Sequence, residues 1–314
     1  TWTNDLPHVI YGQVVIEPNV TLTIESGTNI YFHYNSGIIV GNPIYENNYG
    51  SSLQINGTLN NEVTLQGDRF ETWYQDSPGQ WEKIWITPGS INNKISYAII
   101  RNGNIGLHVD TIGNNEPTLI LDNTIISNMS NIGILGQGTH IEAHNVLVTE
   151  CGQYTLACNI GGKYSFTHCT FANYWGYYQT GNRNTPSILL NNYYEGADGN
   201  TYIRDLESVR FINCIIYGPL STEISFQENE IGMFNYSFDH SLIKLDPNIN
   251  TENNHYINCI INQNPMFVNT QENDFHLDSL SPGINAGKIL SNILYDIEGN
   301  PRVNADLGVY ETQY

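Results

Sequence analysis

Basic residues are scarce in this sequence, and their scarcity excludes several classes of partner. The 314 residues include 11 Lys and Arg against 31 Asp and Glu, which gives a formal net charge of −20 at pH 7. A surface this negative repels DNA, RNA and anionic lipid headgroups, so we expect no nucleic-acid partner. Charged residues of both signs make up only 13% of the chain. Solubility therefore rests on neutral polar residues, above all on 43 Asn.

Long apolar runs and an even set of cysteines are also missing. No run of about 18 apolar residues occurs, so we expect no direct membrane insertion within this chain. The sequence begins at Thr1 without a signal peptide, and we expect the targeting or anchoring segment to lie outside it. The five Cys are an odd number, so at least one thiol is free or pairs with another chain.

Helix-favouring residues are few. Ala, Glu and Lys are uncommon, whereas Asn and 28 Gly are abundant, and this composition disfavours helices and favours turns. The 21 Tyr suit pleated strands. No segment combines a helical period with capping residues at its ends. An all-β chain is predicted.

What the sequence does contain is a short pattern that recurs along the chain. A polar residue precedes a short apolar run in "SYAIIRN", "DNTIISN", "HNVLVTE", "HCTFANY", "NCIIYGP", "DHSLIKL" and "NCIINQN". Their second residues are 97, 123, 145, 169, 214, 240 and 259, so most copies lie 19 to 26 residues apart. The single gap of 45 residues holds a segment that we interpret as an inserted loop at about 179–205. Repeats this short exclude βαβ units, and the spaced Leu of leucine-rich repeats is absent, so a β-solenoid is predicted.

The predicted fold is a single-stranded right-handed parallel β-helix with loop insertions. Residues 1–263 form the coil, and residues 264–314 form a C-terminal closing and capping module of the same domain. Equivalent residues of successive rungs lie about 4.8 Å apart in such a coil, so their side chains stack in ladders. We expect one structural ladder to contain Cys169, Cys214, Cys259, Asn123 and Asn145.

The cysteines of this ladder are expected to be structural. Side chains that stack in parallel keep Cys169 and Cys214 too far apart at Cβ for a disulfide. Pairing of Cys151 with Cys158 stays open at this point. A buried thiol without a basic neighbour is neither a good nucleophile nor a metal ligand set.

Three stretches resemble a known family. They are "NVTLTIESGTNIYF" (19–32), "GQWEKIWITPGSINNKISYAIIRNGNIGL" (79–107) and "NPMFVNTQENDFHLDSLSPGINAGKI … DIEGNPRVNADLGVYE" (264–311). The last contains the closing pattern N-P-x-F … S-P-x-I-N-x-G … D-x-G-x-Y-E. These stretches are similar to pectin-lyase-like right-handed parallel β-helix proteins of the Bacteroides-type secreted and surface-lipoprotein family. The resemblance implies an extracellular protein or an outer-membrane lipoprotein at the bacterial cell surface, and it implies no particular activity.

Catalytic signatures of known β-helix enzymes are absent. The R-x-P-x-x-R segment of pectate lyases and the paired Asp and G-H-G of polygalacturonase-type hydrolases do not occur. The five Lys form no basic cluster suited to a uronate. Glycoside hydrolysis needs two carboxylates about 5 to 9.5 Å apart, and outward acids on neighbouring rungs reach that spacing. The catalytic candidates are Asp122, Glu142, Glu207 and Asp239.

Metal binding has little support in the sequence. His140, His144 and His168 fall in successive coils, but no H-x-x-E-H or H-E-x-x-H pattern accompanies them. The acidic segment 194–202 lacks the ligand spacing of an EF-hand, and adventitious Ca²⁺ is the one ion that it leaves open. We therefore expect no cofactor and no metal site.

Two aromatic clusters are the main binding candidates. They contain Trp73, Tyr74, Trp175, Tyr177 and Tyr178 beside Gly, Pro and Gln. Exposed aromatic rings offer contact area to sugar rings or to proteins at low entropic cost, although the same rings also serve to pack a loop onto a coil. In the C-terminal module, Asp296, Arg302 and Asp306 are expected to fasten a cap through ion pairs.

The leading hypothesis is a non-enzymatic cell-surface β-helix domain that binds a glycan or a surface protein. Two alternatives remain. One is a polysaccharide lyase or glycoside hydrolase that uses outward carboxylates on the coil. The other is a structural accessory lipoprotein of an outer-membrane protein complex.

Overall fold

A computed structural model describes residues 1–42, 49–110, 117–177 and 183–313. These residues form 27 strands and one 3-10 turn, at Thr270–Glu272, and no helix among them is long and apolar enough to cross a membrane. The first strands are β1 (His8–Ile10), β2 (Gln13–Ile16), β3 (Thr21–Glu25), β4 (Asn29–Phe32), β5 (Gly37–Val40), β6 (Ser52–Asn56), β7 (Val63–Gly67), β8 (Ile84–Ile86), β9 (Asn93–Ser96), β10 (Ala98–Arg101), β11 (Ile105–Asp110), β12 (Leu119–Met129), β13 (Ile132–Cys151) and β14 (Leu156–Thr167). The others are β15 (Thr170–Ala172), β16 (Ile188–Asn191), β17 (Tyr193–Glu195), β18 (Thr201–Ile203), β19 (Leu206–Ile212), β20 (Ile215–Tyr217), β21 (Ile224–Gln227), β22 (Phe234–Asp239), β23 (Leu242–Ile243), β24 (Tyr256–Ile257), β25 (Ile260–Ile261), β26 (Phe267–Asn269) and β27 (Asp274–Leu277).

Parallel pairing arranges most strands in three sheets along a coil. The first sheet starts with β1, β4, β7 and β10, the second with β2, β5, β8 and β11, and the third with β3, β6 and β9. The long strands β12, β13 and β14 bend at corners and serve more than one sheet. The first sheet ends with β15, β20, β23 and β25, the second with β16 and β21, and the third with β19, β22 and β24. Within these three sheets each strand pairs in parallel with the strand one coil later, which confirms the parallel β-helix prediction, whereas β17–β18 and β26–β27 are separate antiparallel pairs.

The corner between the third and first sheets is a single residue with positive φ. Its φ lies between 45° and 55° in seven successive rungs, at Tyr97, Asn123, Asn145, His168, Asn213, His240 and Asn258. Asparagine tolerates this left-handed backbone better than most residues, which explains part of the high Asn content. The amide Nδ2 of Asn145 donates to Oδ1 of Asn123 at 3.0 Å, so one corner side chain satisfies the next.

The strand register separates two ladders that the repeat pattern had merged. Cys169, Cys214 and Cys259 each follow a corner residue, because Thr170 pairs with Ile215 and the pairing continues to β23 and β25. Asn123 and Asn145 are themselves corner residues. The repeat alignment was therefore wrong by one residue at the three cysteines. The second residue of a repeat copy is the corner residue at Tyr97, Asn123, Asn145 and His240. At Cys169, Cys214 and Cys259 it is the residue after the corner.

The interior is filled by stacked apolar side chains. Phe166, Phe211, Phe238 and Tyr256 stack across four rungs of the third sheet, with ring centroids 5.2, 4.9 and 5.7 Å apart. All four rings are buried. Stacking at this spacing is the favourable parallel geometry for aromatic pairs and also fixes the register of the rungs.

The segment predicted as an inserted loop at about 179–205 is more than a loop. It contains β16, a regular strand of the second sheet, and the antiparallel hairpin β17–β18. The insertion thus divides into two parts, one before β16 and one after it. Cys169 and Cys214 lie on adjacent rungs despite the 45 intervening residues.

The C-terminal segment, residues 264–313, lies along the outer face of the first sheet. Leu277 and Leu307 pack on Ile215 and Leu242, which point outward from that sheet. Phe275 and Val309 pack on the outward Leu147 in the same way. The segment therefore covers a side of the coil rather than the end that we expected it to cap, because these outward apolar side chains require burial.

Candidate functional site

A second corner, between the first and second sheets, carries the candidate site. Arg101, Ser127, Thr149 and Ala172 are paired neighbours along the first sheet, so the residues that follow them are equivalent. Those followers are Asn102, Asn128, Glu150 and Asn173. The first three have positive φ, of 66°, 56° and 49°. Glu150 thus occupies a left-handed corner position where the preceding two rungs have asparagine.

Two loops leave the coil at this corner. The 68–80 loop follows β7, and the asparagine ladder holds it: Asn102 Nδ2 donates to the Gln75 carbonyl at 2.8 Å and Asn128 Nδ2 to the Asp76 carbonyl at 2.7 Å. The 173–187 loop follows β15, and the structure describes its residues 173–177 and 183–187. The asparagine residues that turn the chain at this corner therefore also hold the 68–80 loop, which forms one wall of the site, through their side-chain amides.

A buried ion pair fixes the 173–187 loop. Arg183 Nη2 lies 2.9 Å from Glu223 Oε1, and both side chains are almost fully buried. The same nitrogen donates to the Asn173 carbonyl at 2.7 Å, and Glu223 Oε2 accepts from the backbone and hydroxyl of Ser187, both at 2.8 Å. Such a pair needs further hydrogen bonds to offset the cost of burying two charges, and here they reach both Glu223 oxygens and both terminal nitrogens of Arg183, whose Nη1 donates to the Thr185 carbonyl. It joins the two ends of the loop to β21 and its preceding turn.

The third wall comes from the C-terminal segment. The turn Thr270–Glu272 and Asn273 lie beside the two loops. The ring of Tyr174 packs on Phe275 of β27, with centroids 6.2 Å apart. The C-terminal segment and the 173–187 loop therefore share one small core and form adjoining walls.

These elements enclose a groove of about 590 Å³. Arg101, Asn128 and Glu150 form its floor, Asp76 and Pro78 one wall, Tyr174 and Trp175 another, and Gln271 and Glu272 the third. A volume of this size is typical of small-molecule sites, and so is the mixture of aromatic and polar lining. The lining includes three acidic residues and one guanidinium, that of Arg101, whose Nε donates to Gln66 Oε1 at 2.7 Å.

Glu150 is the groove residue with the most unusual electrostatics. Burial raises the pKa of its carboxyl from the ordinary 4.5 to about 7, against the opposing effects of Arg183 and of the Tyr174 backbone amide. Among the described residues it forms no ion pair. A carboxyl that is protonated near neutral pH can donate a proton to a bound ligand.

The predicted aromatic residues lie in the two loops that flank this groove. Trp175 lines the groove, and Tyr177 is 58% exposed with its ring edge on Tyr174. Trp73 is 88% exposed on the 68–80 loop, and the ring of Tyr74 lies under the Arg69 guanidinium at 3.8 Å. Tyr178 lies outside the described residues. The structure thus places Trp175 in the groove, and Trp73, Tyr74 and Tyr177 on the two loops that flank it.

The four predicted acids are not groove residues, and the structure places all of them on the third sheet. Asp122 lies 3.7 Å from Lys94, Glu142 lies 3.5 Å from His140, and Asp239 contacts His240 and Lys288. Asp122 and Asp239 share one row but are four rungs apart, or about 19 Å, which is too far for a catalytic pair. Glu207 sits in an irregularity of β19 and is exposed.

The cysteines and histidines singled out in the sequence have structural roles in the coil. All five cysteines are free, including Cys151 and Cys158, and only Cys259 is partly exposed. His168 is a corner residue whose Nε2 accepts from Asn213 Nδ2 at 2.8 Å. No group of three or more His, Cys, Asp or Glu in the described part of the chain has the spacing of a metal site. In the acidic segment, Asp198 accepts hydrogen bonds from Asn200 and Tyr202, so the turn itself uses that carboxylate.

Arg302 fastens the C-terminal segment to the side of the coil. Its Nη1 lies 3.0 Å from Glu311 Oε2, and its Nη2 donates to Asn145 Oδ1 at 3.0 Å. Asp296 and Asp306 cap local turns, since Asp296 accepts from the Glu298 and Asn300 amides and Asp306 from Asn285 and Thr312.

Sequence reasoning missed Glu150, although a signal was present. When the repeats "SYAIIRN", "DNTIISN" and "HNVLVTE" are aligned, their last residues read Asn, Asn and Glu. A charged residue where the repeat places a turn-forming asparagine is the departure that singles out this position in the sequence. The Arg183–Glu223 pair had no comparable signal, since 40 residues separate its members.

Comparisons with known proteins support no particular function for this chain. No family model and no curated protein matches the sequence. Among solved structures, the crystal structure of pectate lyase Pel9A aligns with 92% of this chain and 89% of its own, at 13% identity and a TM-score of 0.34. The fold assignment therefore rests on the strand pairing of this chain itself, which makes the protein a parallel β-helix.

Proposed function

We propose that this protein binds a glycan chain in the groove of the first–second corner. The observation that carries the proposal is that Trp175 lies beside Asp76, Arg101, Asn128 and Glu150 in one cavity. Sugars present apolar faces that pack on aromatic rings and hydroxyls that bond to carboxylates and amides. The rings of Trp73 and Tyr177 are exposed on the two loops that flank the cavity.

The charge of the groove favours an uncharged glycan. Its lining carries three carboxylates and one guanidinium, within a protein of net charge −20. A polyuronate would meet repulsion both at long range and in the groove, whereas a neutral glycan would meet none. The proposed ligand is therefore a neutral polysaccharide rather than an acidic one.

The proposed location is outside the bacterial cell or on its surface, on the basis of the sequence resemblance. A glycan-binding groove suits such a location because extracellular polysaccharides are accessible there. We prefer glycan binding to the alternative roles, contact with a surface protein or a structural place in an outer-membrane complex, because the groove is concave and combines Trp175 with polar side chains.

The test is a binding panel with a matched variant. Soluble neutral glucans, mannans, xylans and galactans and the acidic polygalacturonate are titrated calorimetrically with the wild-type protein and with Trp175→Ala. We expect a neutral glycan to bind, and Trp175→Ala to weaken that binding by at least about tenfold, as for a central aromatic contact.

The control variant is Tyr202→Ala. Tyr202 is a partly exposed aromatic residue on the hairpin β17–β18, outside the groove, and its removal should leave affinity unchanged. Absence of binding to every glycan, or equal affinities of the wild type and Trp175→Ala, would refute the proposal.

A further inference from the structure

The backbone conformation of Glu150 lowers the stability of the fold. A left-handed φ of 49° is strained for glutamate, whereas the equivalent Asn102 and Asn128 tolerate it and use their amides to hold the 68–80 loop. Strained backbone of this kind clusters at functional sites, where the surrounding structure holds it in place. Here the Tyr174 backbone amide donates a hydrogen bond to the Glu150 carboxyl. Here the strained side chain lines the groove beside Trp175.

The surroundings of Glu150 suit a proton donor. It is half-buried and lines the cavity together with Trp175 and Asn128, and burial raises the pKa of its carboxyl to about 7. The charged groups that share the cavity are Arg101 on β10, Asp76 on the 68–80 loop and Glu272 on the C-terminal segment. Arg183 lowers the pKa of Glu150, but Glu223 already occupies its guanidinium.

The walls supply the second group that hydrolysis requires. Asp76 and Glu272 are exposed carboxylates on two different elements, and both line the cavity that Glu150 enters from the floor. The cavity thus holds one half-buried carboxyl and two exposed carboxylates, which are acids in different environments. Different environments assign different roles, as acid and base, to chemically identical groups.

We propose that the groove hydrolyses a glycosidic bond of the neutral glycan that it binds, with Glu150 as the general acid. This inference rests on the proposed function. Glu150 donates its proton to the glycosidic oxygen as the bond from that oxygen to the anomeric carbon breaks. A water molecule forms the new bond to that carbon and transfers a proton to the carboxylate of Asp76 or Glu272. That proton returns to Glu150 through solvent, so each cycle consumes one water and one glycosidic bond.

The experiment separates turnover from binding. Each neutral glycan that binds is incubated with the wild type, Glu150→Gln, Asp76→Asn and Glu272→Gln, and reducing ends and affinity are measured in parallel. We expect Glu150→Gln to lower turnover by about 100-fold or more, with affinity changed by less than about threefold, and one of the two wall variants to lower turnover similarly. The control Glu142→Gln, an exposed glutamate outside the groove, keeps full turnover.

Two further measurements exclude a merely structural effect. Glu150→Asn restores the residue of the ladder, so it should fold at least as stably as the wild type while it loses turnover. Turnover of the wild type should fall as pH rises past about 7, because the general acid must be protonated.

The outcomes distinguish the two proposals. Glycan binding without reducing ends from the wild type, or undiminished turnover in Glu150→Gln, overturns the hydrolytic proposal and leaves glycan binding intact. Failure of every glycan to bind removes both proposals.

Discussion

Single residues with positive φ turn the chain between sheets, and asparagine is the residue that such turns most readily accept. Its abundance predicted turns of this kind, and Asn123 and Asn145 occupy them. Histidine at the same corner, as in His168, was not predictable from propensity. Burial lowers the pKa of His168, so the ring is neutral and its Nε2 can accept a hydrogen bond from Asn213, which is a tertiary property.

The cysteine thiols should differ sharply in reactivity. Burial raises the pKa of the Cys214 thiol, and its side chain is fully enclosed, whereas Cys259 is partly exposed with a pKa raised to about 11. Mass spectrometry after treatment of the native protein with a maleimide should show slow labelling of Cys259 alone. All five thiols should react in denaturant. Rapid native labelling of Cys214 would contradict its place in the interior ladder.

At the scale of elements, composition located the two candidate loops but not the place where they meet. Runs of Trp and Tyr beside Gly marked both the 68–80 and the 173–187 loops as candidates. Their convergence depends on the first–second corner, from which both depart, and on the turn Thr270–Glu272 more than 80 residues away along the chain. Sequence spacing does not report which corners of a coil face the same side.

The 173–187 loop should depend on its buried ion pair. We expect Arg183→Met to lower the free energy of unfolding by about 3–5 kcal/mol, because Glu223 would remain buried without its counter-charge. Urea denaturation gives this quantity, and calorimetry should show weaker glycan binding, since Trp175 lies on the freed loop. The matched control is Arg69→Met, which removes a solvent-exposed ion pair with Glu71 and should change stability little. Equal effects of the two variants would refute the assignment.

At the scale of the whole molecule, the C-terminal segment links rungs that do not touch each other. Lys288 contacts Asp239 and the corner side chain of Asn213, and Arg302 binds Asn145, two rungs away from Asn213 along the coil. A solenoid otherwise has only nearest-neighbour contacts between repeats. The closing sequence pattern identified this segment, but its position along the side depends on the outward Leu147, Ile215 and Leu242. The repeat pattern predicts only that the apolar residues of these strands fill the interior, so it does not reveal that these three point outward.

Unfolding should therefore be cooperative only while this segment is attached. We expect wild-type protein to unfold in one transition, and Arg302→Met to lose about 3–5 kcal/mol, because Glu311 would be left buried without its partner. Tryptophan fluorescence and far-UV circular dichroism should coincide for the wild type and separate for the variant. Arg210→Met, at an exposed site on the third sheet, should match the wild type. Coincident transitions in Arg302→Met would show that the segment does not couple the rungs.

The placement of both loops at one corner has a consequence for how such proteins diversify. Each loop leaves after a strand of the first sheet and rejoins the next strand of the second sheet, while Ile38 still pairs with Ile84 and Leu156 with Ile188. A loop of different length or composition can therefore replace either one without a change in the register of any rung. Ligand preference and fold can then evolve separately, so homologous coils are expected to share their interior residues while differing most in these two segments.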